Sequence, residues 1–291
     1  MDRQALINLI QRHSRPLEPL PTQTEAVLAP LAPIRSVVFD VYGTLIISGS
    51  GDISLARAEN RSPALIEALG EAGFTVRDPE RDPASTLLQM IDLHRERLRA
   101  RGTEFPEVRI EEVWEEWIGR ARVEGWLAGS GSLLEAIVGY ECRVNPCWPM
   151  PGLLPVLATL AERRISVGIV SNAQFYTPLL FPALTGRELP ALGFSDSRTV
   201  WSYQEREGKP SRFLYRKLAG KLADEGLQPH ETLYVGNDLL NDIYPARHEG
   251  FRTALFAGDQ RSLRLRPEDP RCRDLRPDAT LKHLGQVLNL L

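Results

Sequence analysis

The stretch VVFDVYGTLII, residues 37–47, decides how the rest of the chain is read. Its first three residues are β-branched or aromatic, the composition of a short buried strand over 36–39. Asp40 stands where that strand ends, and the pair Gly43-Thr44 follows. Gly43 allows a sharp turn or a close backbone approach. A carboxylate in this place can cap the turn that follows.

The same arrangement recurs downstream. Residues 165–170, ISVGIV, read as a strand that runs into Ser171-Asn172. Residues 232–235 read as a strand that runs into GNDLLND, and 252–256, RTALF, as another. Helical patterns at 153–164, 211–224, 243–249 and 281–291 alternate with them. Such alternation implies a parallel sheet covered on both faces. Ligands of such sheets bind beyond the carboxyl ends of the strands, where this chain places Asp40, Ser171 and Asn237-Asp238.

Between about 53 and 140 no strand pattern is evident; helical patterns run over 63–72, 83–101 and 108–127, broken by TVRDPERDP and RGTEFPE. This block reads as a helical insert, with Gly49, Gly51, Gly129 and Gly131 as hinge positions. At the N-terminus, Leu6, Ile7, Leu9 and Ile10 mark an amphipathic helix that packs on the domain or, in a homodimer, on a partner subunit. Pro16, Pro19, Pro21, Pro30 and Pro33 make 15–33 an extended connector. The expected division is 1–35 for helix and connector, 36–47 with 149–291 for the α/β core, and 48–148 for the insert.

FDVYGTL, IVSNA, GKPSRF and VGNDLLNDI occur in that order, each at an expected strand end or helix start. Together they resemble the haloacid dehalogenase superfamily over residues 36–47 and 149–291. The resemblance implies a hydrolase with a doubly wound α/β parallel sheet and an inserted α-helical cap. It implies Asp40 as nucleophile, Ser171 as holder of an anionic oxygen, and Lys209 as a fixed positive charge. Thr44 would orient Asp40, and Asn172 the bound group. Asp238 and Asp242 resemble the family's metal loop; with Asp40 and the main-chain carbonyl of Tyr42 they would hold Mg²⁺. Asn237 is the alternative for the loop's first position. Convergent carboxylates repel by about 1–4 kcal/mol per pair at ~4 Å. Lys209 offsets one charge and a divalent cation would offset the rest.

Tyr42 divides the reading. Many phosphatases of the superfamily have a second aspartate there, which protonates the leaving group; a tyrosine near pKa ~10 is a poor substitute at neutral pH. The DxYGT form is similar to that of the 2-haloacid dehalogenases, in which Asp attacks carbon, displaces halide and needs no metal. The acidic loop points the other way and carries more weight. A Mg²⁺-dependent phosphatase of a small phosphorylated metabolite, acting through an aspartyl phosphate, is therefore expected. Substrates with good leaving groups, such as acyl or aryl phosphates, would suit the missing acid. The alternatives are a metal-independent 2-haloacid dehalogenase and a protein that keeps the fold only to bind a ligand.

The 291 residues carry a net charge of −3 and are 43% hydrophobic, which suits a globular chain with a sizeable core. That balance gives no reason to expect nucleic acid or an anionic membrane as partner. No apolar run reaches the ~20 residues that span a bilayer, and the N-terminus has no cleavable-signal pattern. Three cysteines fit small buried thiols and a reducing cytoplasm. GSGS at 129–132 lacks the frame of a dinucleotide loop. The histidines are scattered, Trp114 and Trp117 suit core packing, and Arg261–Arg266 suits a solvated face. Arg57 and Arg61 could bind a carboxylate or halide and are left unassigned.

Overall fold

The computed structural model describes residues 2–31, 33–50, 61–78 and 81–291; Gly51 and Arg57 lie outside them. The chain opens with α1 (Arg3–His13), β1 (Ser36–Phe39) and β2 (Ile46–Ser48). Next come α2 (Ser62–Glu71), β3 (Phe74–Val76), α3 (Pro83–Arg99), α4 (Ile110–Val123), β4 (Leu127–Gly129), α5 (Leu133–Val144) and β5 (Cys147–Pro149). The alternating part follows as α6 (Leu153–Glu162), β6 (Ser166–Ser171), α7 (Leu180–Thr185), β7 (Phe194–Trp201), α8 (Ser202–Glu205) and α9 (Arg212–Ala223). It closes with β8 (Thr232–Gly236), α10 (Tyr244–His248), β9 (Arg252–Phe256) and β10 (Ala279–Leu281).

Six strands form one parallel sheet in the order β10-β9-β8-β1-β6-β7. Every residue of β1 is buried, as expected of a parallel strand covered on both faces. Phe39 is in register with Ile169 on one side and Val235 on the other, so Asp40, Ser171 and Asn237 leave the sheet at one edge. From β1 the chain winds outward through β6 and β7, then returns to build β8, β9 and β10 on the other side. That reversal makes the carboxyl end of β1 a topological switch point.

Asp2 caps α1 through the amides of Gln4 and Ala5. The four apolar residues of α1 are buried, and the helix packs on α5 and α7 of its own chain. In the proline-rich connector, Val27 exchanges both backbone bonds with Thr280 (2.9 and 3.0 Å) and Thr22 donates to the Ala257 carbonyl (2.7 Å). This extended segment lies along β10, the kind of open edge that otherwise invites strand pairing.

Four features differ from the sequence reading. The helical block contains a ribbon, β3 with β4, and a further helix, α5. The core has two more strands, β7 and β10. Instead of a closing helix over 281–291, a 3₁₀ segment runs from Leu284 to Asn289. Gly129 and Gly131 are packed against Gly73 and Ala72, with Ser132 capping α5, so they do not sit where the helical block joins the sheet. The join is the β2–β5 pair, where Gly49 donates to the Pro146 carbonyl (2.8 Å).

Candidate active site

Asp40 remains tied to the sheet by its own amide, which donates to the Val235 carbonyl (2.9 Å). Its carboxylate Oδ1 accepts from Lys209 Nζ at 2.6 Å. The same ammonium donates to Asp242 Oδ1 (2.6 Å) and the Tyr234 hydroxyl (2.9 Å). An ammonium has three protons, so all of them are spoken for. Lys209 is 8% exposed, Asp40 6% and Asp242 2%, which places two carboxylates and one ammonium in a poorly solvated spot.

The electrostatic consequences follow from that burial. Desolvation lifts the Asp40 pKa to about 6; Lys209 opposes the shift and Asp242 adds to it. Burial alone would discharge Lys209, but Asp242 and Asp40 reverse this and raise its pKa. Burial dominates for Tyr234 too, whose phenol stays protonated. Its oxygen lies 3.1 Å from the Val170 carbonyl and 3.0 Å from Asp242 Oδ1, so it bridges β8 to β6.

Two glycines make this packing possible. Gly43 has φ +81°, and a Cβ there would lie 2.4 Å from the Ser262 Cβ. A Cβ on Gly236 would lie 2.4 Å from the Asp242 carboxyl carbon, so the last residue of β8 must be bare for Asp242 to fold back. Asp242 does so through one π-helical turn, Leu239–Ile243, of a kind often found at functional sites.

The sequence-derived site residues fall as follows. Asp40, Lys209 and Asp242 are in direct contact. Ser171 ends β6 beside Asp40, and no helix starts there: the next turn is 3₁₀, from Thr177. Asn172 accepts the Lys209 amide on its Oδ1 (2.8 Å), so it holds the lysine loop. Thr44 donates to Asn237 Oδ1 (3.1 Å) rather than to Asp40, and Asn237 in turn donates to the Ser262 carbonyl (2.6 Å). The Tyr42 hydroxyl is paired with Thr177 at 3.0 Å.

The expected Mg²⁺ ligand set does not fit this arrangement. Asp238 Oδ1 caps the π turn through the amides of Leu240 and Asn241, and its Oδ2 takes Asn241 Nδ2 (2.9 Å) and Arg266 Nη2 (2.7 Å). Asp242 Oδ1 faces Lys209 and Tyr234, while its Oδ2 accepts the Asp238 amide (3.0 Å). Cationic, amide and phenol donors thus occupy the carboxylate oxygens of Asp238 and Asp242, the two loop ligands a metal would need. Among the described residues no group of three His, Cys, Asp or Glu is disposed to hold an ion.

A cavity of about 460 Å³ opens above Asp40. Its floor is Asp40, Asn172, Lys209, Asn237 and Asp242, and its far walls include Arg61, Leu87, Ile91, Trp114 and Tyr140 of the helical block. Arg264 and Arg266 also line it, so the stretch 261–266 is a wall of the site and not a solvated face. The segment before α4 docks directly beside Lys209: Gly208 donates to the Phe105 carbonyl (2.7 Å) and Glu107 to the Arg206 carbonyl (3.1 Å). The Glu107 carboxylate accepts from Ser202 (3.1 Å) and Gln174 (3.2 Å). Burial lifts both Glu107 and Glu141, which line the cavity, to about 7.

Sequence reasoning missed Tyr234, Glu107, Tyr140 and Glu141. Only Tyr234 had a local signal: a phenol in the otherwise apolar strand TLYVG needs a buried partner.

Strand-end Asp40, its ion pair with Lys209 and the cavity at the switch point place the candidate site of an α/β protein at the carboxyl end of β1. The family model for haloacid dehalogenase-like hydrolases matches residues 34–250, and the chain belongs to that family. Among the solved structures it is similar to a 2-haloacid dehalogenase from Pseudomonas syringae pv. Tomato DC3000: 19% identity over 88% of this chain and 97% of that one, TM-score 0.53. It is also similar to the L-2-haloacid dehalogenase of Xanthobacter autotrophicus (20% identity, 87% and 96% covered, TM-score 0.48). A HAD phosphatase from Thermococcus onnurineus gives 16% identity, 87% and 96% covered, and a TM-score of 0.45. At these identities the likeness is one of fold. No curated protein matches the chain. Among the described residues no helix is long and apolar enough to cross a membrane.

Proposed function

We propose that the chain hydrolyses a small substrate through an ester on Asp40, and that the leaving group departs as a stable anion, as halide does from a 2-haloacid. The observation that carries this reading is the engagement of Tyr42. Two residues beyond the nucleophile, where a proton donor would serve an alkoxide leaving group, stands a phenol bonded to Thr177 and kept protonated by burial. A halide needs no proton. In the first step an Asp40 oxygen forms a bond to the substrate carbon as the carbon–halogen bond breaks and the electron pair leaves with halide. In the second, water attacks the ester carbonyl, which frees a 2-hydroxy acid and restores Asp40. Lys209, its protons already bound, holds Asp40 in place and lowers the cost of its charge.

A second reading, hydrolysis of acyl or aryl phosphates, is favoured by the crowding of Asp40 and Asp242 around one ammonium. A fixed positive charge there would also suit a phosphoryl group. The test sets halide release from 2-chloro- and 2-bromoacids beside hydrolysis of p-nitrophenyl and acetyl phosphate, each in Mg²⁺ and in EDTA. Halide release indifferent to EDTA and lost in Asp40→Asn is expected. Phosphate release that needs Mg²⁺, with no halide release, would replace the first reading by the second.

A further inference from the structure

The helical half of the cavity holds two buried donors with no partner among the described residues. Trp114 is 0% exposed and lines the cavity, yet its indole Nε1 has no hydrogen-bond partner. Arg61 Nε, on the same cavity, is buried and also unpartnered. The two are contiguous: Arg61 lies against the Tyr140 hydroxyl, and the Tyr140 and Trp114 rings are 5.8 Å apart. A buried N–H left unpaired forfeits its hydration for nothing in return, and buried polar groups in folded proteins are nearly always paired. Two such donors on one cavity, each adjoining Tyr140 and one of them on a guanidinium, form a site that an acceptor would complete.

We infer that Arg61 and Trp114 form a carboxylate-binding subsite for the end of the substrate remote from Asp40. Two N–H donors and one positive charge match one carboxylate. A phosphate dianion is disfavoured because two N–H donors are too few for its oxygens. About 460 Å³ is in the range of drug-sized ligands, more than a two- or three-carbon acid fills. The substrate class is therefore an elongated acid, with its reacting carbon at Asp40 and a carboxylate at Arg61 and Trp114. This inference rests on the proposed reaction for its chemistry, but its geometry is tested by binding alone.

The test titrates Asp40→Asn protein with dicarboxylates from malonate to adipate and with monocarboxylates of equal length, read by calorimetry and tryptophan fluorescence. At least one dicarboxylate is expected to bind ten-fold or more tighter than its monocarboxylate. Arg61→Gln should abolish that ratio, and Trp114→Phe should cut it several-fold. Because a ratio is read, a modest loss of stability in Trp114→Phe leaves the result interpretable, and Arg61→Gln stands as the second variant. Equal affinities in the parent, a ratio that survives Arg61→Gln, or tighter binding of inorganic phosphate would overturn the subsite. If the dicarboxylate preference is found in a protein that releases no halide, the subsite stands and the reaction falls. Halide release without the preference gives the reverse.

Discussion

The two halves of the cavity are finished to different degrees. Around Lys209, three protons meet three acceptors, Asp242 uses both its oxygens, and Asp238 is closed by its own turn and Arg266. On the helical wall, Arg61 Nε and Trp114 Nε1 have no partner among the described residues, and Glu107 and Glu141 are buried with neutral hydrogen-bond partners, attracted by Arg95 and Arg61 but not enough to offset their burial. The Lys209 cluster is complete before any ligand arrives, and the one unmet atom beside it among the described residues is the neutral Ser262 hydroxyl. The wall is left for a ligand to complete. Preorganised charge at the reacting atoms lowers the barrier because no reorganisation is needed during reaction. Unmet donors at a distance convert remote binding into orientation.

The strongest way to break this comparison is to remove the nucleophile. Asp40→Asn should lower turnover by at least about 10⁴-fold while leaving the wall intact, as losing a covalent nucleophile does elsewhere. The pH profile follows with its sign. Asp40 attacks only when ionised, and its pKa is lifted to about 6. The rate should rise with pH through that value, and a flat profile from pH 5 to 8 would count against Asp40 as the nucleophile.

Next in size is Lys209→Met. Removing one partner from a buried ion pair costs roughly 3–5 kcal/mol. Here it would leave Asp40 and Asp242 facing each other with no cation between them. The melting temperature should fall sharply at pH 8 and partly recover at pH 5, where protonation relieves the repulsion. A melting curve equal to that of the parent at both values would show that the floor is not the tightly coupled unit described above.

The wall is tested by Glu141→Gln. Burial raises the Glu141 pKa from 4.5 to about 7. A group whose folded pKa is raised stabilises the fold below its unfolded pKa and loses that contribution as pH rises through the folded one. Glu141, and Glu107 with it, should therefore make the stability of the parent fall as pH rises from 4.5 to about 7 and stay low above that. Glu141→Gln should gain roughly 1–3 kcal/mol at pH 8 and almost nothing at pH 4, as read by denaturant titration. A loss at pH 8 would mean that the charged form is held by a partner after all.

How far the sequence showed these halves depends on how each is built. The floor comes from strand ends, and each strand end carries its own local pattern: VVFD, GIVS and YVGND announce both the strand and the group it presents. The wall draws one residue each from α2's approach, α4 and α5, and only tertiary packing brings Arg61, Trp114 and Tyr140 together. Core packing was the right expectation for Trp114, which is fully buried; its unmet nitrogen has no signature in sequence. The ribbon strands β3 and β4 and the edge strand β10 have three residues each, too few to show a period of two. β7 was hidden by its polar middle, SDSR, which faces outward at the sheet's other edge. In the acidic loop, counting acids could not reveal that Asp238 turns toward Arg266, 28 residues on.

The finest test of the comparison is a single hydroxyl. Tyr234→Phe keeps the ring, which packs edge-on against Tyr215 with centroids 5.0 Å apart, and removes only the oxygen. In a saturated floor that oxygen has no substitute. Lys209 loses one of three acceptors, and the Val170 carbonyl and Asp242 lose a donor they share. The cost should be about 1–2 kcal/mol of stability, with a smaller fall in turnover than Lys209→Met produces, since both ion pairs remain. The apparent pKa of the rate should move upward, because Lys209, less firmly held, shields Asp40 less. Unchanged stability together with an unchanged pH profile would mean that water replaces the hydroxyl. The floor would then have slack, and the distinction between a finished floor and an unfinished wall would be one of degree.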